Sequence, residues 1–580
     1  MRSVQLRQVS ETVTQSLIRE GIPPVLAKIY AGRGVTSAMD VHYEYGSLLP
    51  YRDLLNASTM ARTLADAIDA GSKIVVLSDF DADGATGCAV AVRGLRGLGA
   101  NVDWVVPDRL RHGYGLTAQV FLEKIQPLSP HWVLTVDNGI AAIDGIRAVK
   151  SAGIGVLVTD HHMPIRLPNG SSPDIGADCV VNPNQDGCGF GSKHLAGVGV
   201  IWYVLWALRD ELVRRYPGRE FFRIGSLLPF VAMGTVADVV SMADYNNRTL
   251  VSLGLNLLRK GGSRPAGIHA LADVSKKQIQ KLTTADFGYA LAPRLNAAGR
   301  LEHMSAGVAL LLNDDAASCA LQAMELDAVN SARKQVQANI EADAEALVAE
   351  VVADGDTYDK FTIVAVGPWH PGVIGVAAGR LKEKYYRPTF VLSALADGTY
   401  KGSGRSIPGV NLKNVLDEVH SLAPHVMAKF GGHAMAAGLT LCAGACDEFT
   451  RLFEQRVSVA LNGVLPGVVI EVDGKNVDPA LFTPDVLTQM ETGLWGANFP
   501  SPTFYGEFRV VSMKRMGADS KHLRMTLSSQ GTEINAVQFF AESDPASDIR
   551  CVYQPVLNEY RGIYTPQLLI SYVFQDDGAI

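Results

Sequence analysis

The chain has 580 residues, 47% of them hydrophobic and 19% charged, and 52 basic against 59 acidic side chains leave a formal charge of −7. Such a length and composition predict several domains with real cores and exclude a largely disordered chain, while the acidic balance argues against coating nucleic acid by bulk charge. The longest uncharged apolar stretch, Leu195 to Leu208, is too short to span a bilayer, the first residues lack a signal-peptide core, and the seven cysteines form no CxxC pair, so a reducing cytoplasm is expected, with no membrane segment, disulfide framework or zinc finger.

The first fifty residues predict short helical pieces broken at 21–24 and at Gly32 and Gly34. From Lys73 the texture changes to short apolar runs: Lys73–Ser78, Val102–Pro107, Trp132–Val136, Gly155–Thr159 and Ala177–Val181. Helix-length segments such as Cys88–Leu98 and Ala141–Ala152 lie between them. Runs that are continuous rather than alternating predict parallel strands covered on both faces, hence a doubly wound α/β sheet.

Residues 195–260 read as buried helix. Asn313 to Val352 contains no Gly or Pro; unbroken, it would be a helix of about 60 Å, but a break near Asn330-Ser331 and two connecting helices are expected. A second α/β unit follows, with strands Phe361–Val366 and Thr389–Leu392, a helix near Gly372–Tyr385, and Gly-rich turns at 402–404 and 431–432. Beyond Gly463 the runs Val468–Val472, Gly506–Lys514, His522–Ser528, Ile534–Phe540 and Leu568–Phe574 predict a small Greek-key barrel of the OB type. The expected domains are 1–310, a catalytic α/β domain with a helical N-terminal extension; 311–352, connecting helices; 353–462, a smaller α/β domain; and 463–580, the all-β domain.

The chemistry gathers where the first strands end. Asp79, Asp81 and Asp83 follow the first strand, Asp108 and Arg109 the second, Asp137 the third, and Asp160, His161 and His162 the fourth. In open α/β sheets ligands bind outside the carboxyl ends of the strands. The apolar run Leu227–Val236 also ends in a charge, Asp238. Taken singly, the Asp triplet reads as a solvated turn and Asp160-His161-His162 as a strand-end turn; an EF-hand loop is excluded because Val90 stands where its bidentate Glu is required. Together, so many carboxylates cannot crowd one edge without cations. Oxygen ligands with one or two imidazoles suit manganese, or less well magnesium, and a carboxylate-bridged pair of such ions suits in-line attack on a phosphate ester. Two divalent ions would bring the formal −7 to −3.

DFDADG at 79–84, VDNG at 136–139, Asp160-His161-His162 and GTVAD at 234–238 resemble the DHH phosphoesterase superfamily. Within it, PDRLRHGYGL (107–116), PRLNAAGRL (293–301), WHPGVIGVAAGRLKE (369–383), KGSGRS (401–406) and KFGGHAMAAGL (429–439) resemble the RecJ family, over the chain from about residue 15 to the C-terminus. That resemblance implies a bacterial exonuclease that removes mononucleotides processively from 5′ ends of single-stranded DNA, with two manganese or magnesium ions, in recombination and repair.

Carried over residue by residue, it implies that Asp81 ligates one metal with Asp79 beside it or just behind the ligands, that Asp83, His161 and Asp238 hold the other, and that Asp137 bridges both. His162 would face the scissile phosphate as charge stabiliser or proton donor, with Asp160 orienting an imidazole. Arg109 would hold a phosphate and Tyr114 stack on a base. Arg294, Asn296 and Arg300 would line the DNA path. In the smaller α/β domain, the DHH-associated domain, Ser403, Arg405, His370, Gly432 and His433 would grip the backbone, Gly431-Gly432-His433 as an anion nest. The barrel would be a single-strand platform: within residues 501–530, Arg509, Lys514, Arg515, Lys521 and Arg524 oppose only Glu507 and Asp519, near Phe504, Tyr505, Phe508, Phe539 and Phe540. The resemblance further implies single-strand-binding protein and a RecQ-type helicase as partners; a location at the nucleoid is expected, and so is a monomer, because two lobes of one chain would already close a site. Two rivals stay open: a DHH phosphatase acting on small substrates, and a DNA-binding scaffold without catalysis.

Overall fold

A computed structural model describes residues 2–109, 111–167, 169–352, 360–517, 520–541, 543–560 and 562–574. It divides into two compact units, Val4–Asp327 with Glu471–Ile580, and Met1–Ser3 with Ala328–Ile470. Among the described residues no helix is long and apolar enough to cross a membrane.

The larger unit is built on five parallel strands: β1 (Lys73–Ser78), β2 (Asn101–Val105), β3 (Trp132–Val136), β4 (Gly155–Thr159) and β5 (Cys179–Val181), in the order β2–β1–β3–β4–β5. Successive side chains feed opposite cores. Ile74, Val76, Leu134 and Val136 enter one cluster, and Val75, Leu77, Val133 and Val158 the other. Burial on both faces is the reason these runs show no polar alternation. Helices α1 (Ala82–Gly97), α2 (Gly197–Arg215) and α3 (Leu228–Ala237) cover one face, with α2 and α3 both packed on α1.

The same unit contains a closed barrel of five strands. β11 (Phe504–Met516) lies antiparallel to β12 (His522–Ser529) and to β14 (Asp548–Tyr560); β12 pairs with β13 (Thr532–Gln538), β13 runs parallel to β15 (Ile563–Phe574), and β15 pairs with β14. Two expectations are corrected. Val468–Val472 is outside the barrel and pairs with Arg2–Leu6. The strand that takes its place, Asp548–Tyr560, carries Asp548, Arg550, Pro555, Asn558 and Glu559, which disguise it locally; closure of the ladder on both of its edges overrides that composition. Phe504, Tyr505 and Phe508 are core, whereas Phe539 and Phe540 are exposed. Asp519 lies outside the described residues. Leu26 and Ile29, from the helix Pro24–Ala31, complete the barrel's core. Next to them the buried Arg33 grips Asp473 through two bonds of 2.7 and 2.9 Å.

In the smaller unit, β6 (Ile363–Gly367), β7 (Thr389–Ala394), β8 (Tyr400–Arg405), β9 (Met427–Gly432) and β10 (Ala436–Leu441) form a mixed sheet in the order β9–β10–β8–β7–β6, with only β6 and β7 parallel. Residues 402–404 are therefore mid-strand, not a turn. Glycine is needed there for space: a Cβ on Gly404 would fall 2.4 Å from the Phe390 ring. Gly431 and Gly432 likewise end β9. The helix α4 (Ala316–Val352) runs without the expected break. Asn330 is buried and accepts a bond from Arg333 one turn on, so its side chain does not compete for the backbone.

Candidate metal centre

Every carboxylate at the sheet's edge owes its place to local structure. Asp79 directly follows β1. Asp81 is the N-cap of α1 and accepts the Gly84 N–H at 2.9 Å. Asp83, in the first turn of α1, accepts the first N–H groups of α2, from Gly197 at 2.7 Å and Val198 at 3.0 Å. Asp137 follows β3 at φ 63°, a left-handed conformation seldom adopted by a non-glycine residue. Its N–H bonds the Thr159 carbonyl at 3.0 Å. Asp160, His161 and His162 follow β4, and Asp238 ends α3 as its C-cap.

These side chains converge. His161 Nε2 lies 3.1 Å from Asp137 Oδ1 and 3.5 Å from Asp238 Oδ2. Asp79, Asp81 and Asp137 bring ligand atoms within 4.8 Å of one another, as do Asp83, His161 and Asp238, and as do Asp137, His161 and His162. Asp137 and His161 each belong to two of these sets, so the groups interlock. His162 Nδ1 is held by Asp160 Oδ1 at 2.8 Å and lies 3.9 Å from Asp137 Oδ1.

The electrostatics show strain. Burial and neighbouring Asp81 push Asp83 up to about 7. Burial, followed by the surrounding aspartates, drives Asp79, Asp137 and Asp238 well above the usual carboxylate range. Burial takes His161 down to about 4, with the charge of His162 adding to it. Burial opposes the charging of both Asp160 and His162, yet their hydrogen bond prevails and holds the acid low and the imidazole high. Several buried acids thus face each other with too little positive charge among them.

A divalent cation supplies what is missing. Asp79 Oδ1, Asp137 Oδ1 and His161 Nε2 are buried without any hydrogen-bond partner, and a buried polar atom left unpaired is costly. All three belong to the sets just described. Hard oxygen donors with a neutral imidazole fit manganese or magnesium, so the donor chemistry and the orphaned atoms agree.

The residues expected on the DNA path scatter over several duties. The Arg109 guanidinium sits 5.0 Å over the Phe80 ring, which meets the Tyr114 ring edge-on at 6.1 Å. Tyr114 packs edge-on against His162 at 5.8 Å and donates its hydroxyl to the Asp137 carbonyl at 3.1 Å. It therefore braces the centre, with part of its ring left exposed. Asn296 Oδ1 accepts the Ala82 N–H at 2.8 Å, latching the start of α1, and Arg294 is engaged by Asp327 at 2.7 Å. Arg300 lies on the same helix as both, Ala292–Leu301.

In the smaller unit Ser403 and Arg405 lie on β8 under the start of the helix α5 (Ile374–Tyr385). A Cβ on Gly375 would be 2.8 Å from Ser403 Oγ and 3.3 Å from Arg405 Nη2. His370, in the preceding loop, accepts the Gly372 N–H through Nδ1. The expected nest is altered: the His433 N–H is spent on the Ala436 carbonyl at 2.8 Å in the turn joining β9 to β10, and Gly432, at φ 144°, makes that turn possible.

Two contributors escape a reading of the sequence. Phe80 reads only as a spacer between aspartates, and Gly197 carries no motif. A Cβ on Gly197 would come within 2.6 Å of Asp137 Oδ1.

Comparison with known proteins gives concordant matches. The family described as "DHH family, N-terminal domain" matches residues 73–235, the "DHHA1 domain" residues 359–459 and the "RecJ OB domain" residues 473–572. The single-stranded-DNA-specific exonuclease RecJ of Escherichia coli is 38% identical over 587 residues, covering 99% of each chain. The protein of that name from Bacillus subtilis is 32% identical, over 95% of this chain and 68% of its own. Among solved structures, RecJ from Thermus thermophilus in complex with Mn2+ superposes with a TM-score of 0.78 at 26% identity, over 99% of this chain and 80% of that one. An exonuclease RecJ bound to manganese matches with a TM-score of 0.58 at 31% identity, over 72% of this chain and 98% of that one.

Proposed function

The chain belongs to the RecJ family of single-stranded-DNA-specific exonucleases, and on that premise we propose that it hydrolyses single-stranded DNA from the 5′ end, releasing 5′-mononucleotides in recombination and repair. The observation that carries this reading is the convergence of the orphaned Asp79 Oδ1, Asp137 Oδ1 and His161 Nε2. Asp79, Asp81 and Asp137 would hold one divalent ion, Asp83, His161 and Asp238 a second, and Asp137 would serve both. Manganese or magnesium bound there supplies Lewis acidity and a water of lowered pKa.

The chain's own side chains do the rest. The hydrogen bond to Asp160 raises the His162 imidazole against the opposing effect of burial, so that in its protonated form His162 would offer a positive ring to the scissile phosphate and a proton to the leaving oxygen. Arg109 receives a phosphate, and its planar guanidinium, already resting on Phe80, loses little freedom in doing so. Ser403 and Arg405 beside the N-terminus of α5 form an anion-receptive surface, with His370 and His433 near its edges. Arg300, on the same helix as Arg294 and Asn296, is proposed to contact the DNA backbone. The exposed Phe539 and Phe540 suit stacking on bases. Single-strand-binding protein and a RecQ-type helicase are proposed partners, a monomer at the nucleoid the proposed state, and 1–310, 311–352, 353–462 and 463–580 the proposed domains.

A manganese titration with 5′-labelled single strands, blunt duplex, single-stranded circles and a dinucleotide tests the reading. Mononucleotide release from linear single strands only is expected. Turnover of the dinucleotide alone would make the protein a small-substrate phosphatase, and binding of strands without cleavage at any metal concentration would make it a scaffold.

A further inference from the structure

The two histidines of the centre sit on a peptide with no regular secondary structure, so something else must fix them. Their N–H groups are held from one side by Asp160, whose Oδ1 accepts from His161 at 2.7 Å and from His162 at 3.1 Å. Their carbonyls are held from the other side by two asparagines beyond β5. Asn184 Nδ2 donates to the His161 carbonyl at 2.6 Å, and Asn182 Nδ2 to the His162 carbonyl at 2.9 Å. The asparagines are themselves tied together, the Asn184 N–H donating to Asn182 Oδ1 at 2.7 Å.

This second clamp is anchored. Lys193 Nζ donates to the carbonyls of Pro183 and Cys188 at 2.7 and 2.8 Å, stapling the loop across its width. Gln185 Nε2 reaches the Val180 carbonyl at 3.1 Å. Asn182 is fully buried. Neither asparagine belongs to the ligand sets, and the reaction as derived gives them no part.

We propose that Asn182 and Asn184 are positioning residues for the two imidazoles, Asn184 acting chiefly through His161 on metal binding and Asn182 chiefly through His162 on the chemical step. A small error in an imidazole's position is costly to a site that depends on geometry. The clamp therefore has two separable outputs. Because a carboxylate in place of the amide turns a donor into an acceptor facing the carbonyl, Asn184→Asp and Asn182→Asp invert the contact at constant shape, and Asn182→Asp keeps an oxygen for the Asn184 N–H; Asn184→Ala deletes the contact, and Asn182→Ala deletes it together with the acceptor of the Asn184 N–H, leaving Asn184 its own bond to the His161 carbonyl.

The inference rests on the assignment of His161 to metal and His162 to substrate, so the experiment carries His161→Ala and His162→Ala alongside. Mn2+ affinity is read without DNA, by the free-ion electron paramagnetic resonance signal, and kcat and KM are measured on a 5′-labelled strand at limiting and saturating Mn2+. For the Asn184 variants we expect Mn2+ affinity to fall at least tenfold and kcat to return at saturating Mn2+. For the Asn182 variants we expect unchanged Mn2+ affinity and a kcat loss of at least tenfold that excess metal does not restore, with KM within twofold. A general loosening of the fold would raise KM and weaken both outputs in both sets, overturning the proposal, as would parental behaviour of the variants. Should the buried charge introduced by Asn182→Asp prevent folding, Asn182→Ala decides. Parental Mn2+ affinity in His161→Ala would instead refute the site assignment beneath it.

Discussion

Gly197→Ala perturbs the centre without removing a single polar group. Gly197 is the first residue of α2, at a backbone geometry any residue adopts, so on helix propensity alone alanine should stabilise by about 0.5–1 kcal/mol. The added Cβ would, however, fall 2.6 Å from both Oδ1 and Cβ of Asp137, where ordinary contact begins near 3.4 Å. One partner must retreat by roughly 0.8 Å. Asp137 is tethered through its N–H to Thr159 and through its carbonyl to Tyr114, and α2 is tethered through the Gly197 and Val198 N–H groups to Asp83. Overpacking at such a site costs about 1–3 kcal/mol, which exceeds the propensity gain. A displacement of this size at a geometry-dependent centre costs on the order of 100-fold in activity. The assay is a metal-free thermal melt, followed by Mn2+ affinity and exonuclease rate. Gly379→Ala, also within a helix but with nothing inside 4 Å of its Cβ, serves as the stabilised control. If Gly197→Ala melts higher, like the control, and binds Mn2+ as tightly as the parent, the close approach of α2 to Asp137 is not what shapes the centre.

Further outcomes follow from the same geometry. Folded metal-free protein binds protons that the unfolded chain has released, because Asp79, Asp83 (to about 7), Asp137 and Asp238 are all raised; the stability they contribute is complete below about pH 4 and disappears as pH rises through their folded values. His161, lowered to about 4, acts in the opposite sense up to its ordinary value but is outnumbered. The metal-free melting temperature should therefore fall between pH 5 and 8 and Mn2+ should abolish the fall; a metal-free melt that rises over that range contradicts the reading. Asn296→Ala releases the Ala82 N–H and should cost about 1 kcal/mol of stability and lower Mn2+ affinity while KM for DNA holds; a KM change with normal metal binding would return Asn296 to the DNA path. For Arg109→Ala, Mn2+ affinity should be intact and KM for strands bearing a 5′ phosphate should rise about tenfold or more; equal KM with and without that phosphate in the parent enzyme removes the assignment.

The doubly wound sheet was legible because burial on both faces writes itself as uninterrupted apolar runs, and the centre was legible because charges stood where each run stopped. Less could be read where neighbours distant in sequence decide. Val468–Val472 looks like a barrel strand but pairs with Arg2–Leu6, while Asp548–Tyr560, with Pro555 and several charges inside it, is held in the barrel by strands on both sides. Gly402 and Gly404 suggest a turn, but facing side chains from adjacent strands require their smallness in mid-strand.

The order of residues along the chain was enough to determine which chemistry is present, since metal ligation needs particular atoms and those atoms are named by residue type. Their division of labour had to wait for folding. Whether a carboxylate meets a cation, a helix N-terminus or a neighbouring imidazole depends on through-space distances of a few ångströms between segments tens of residues apart. Asp83 against α2, Asn296 against α1 and Tyr114 against His162 are all contacts of that kind.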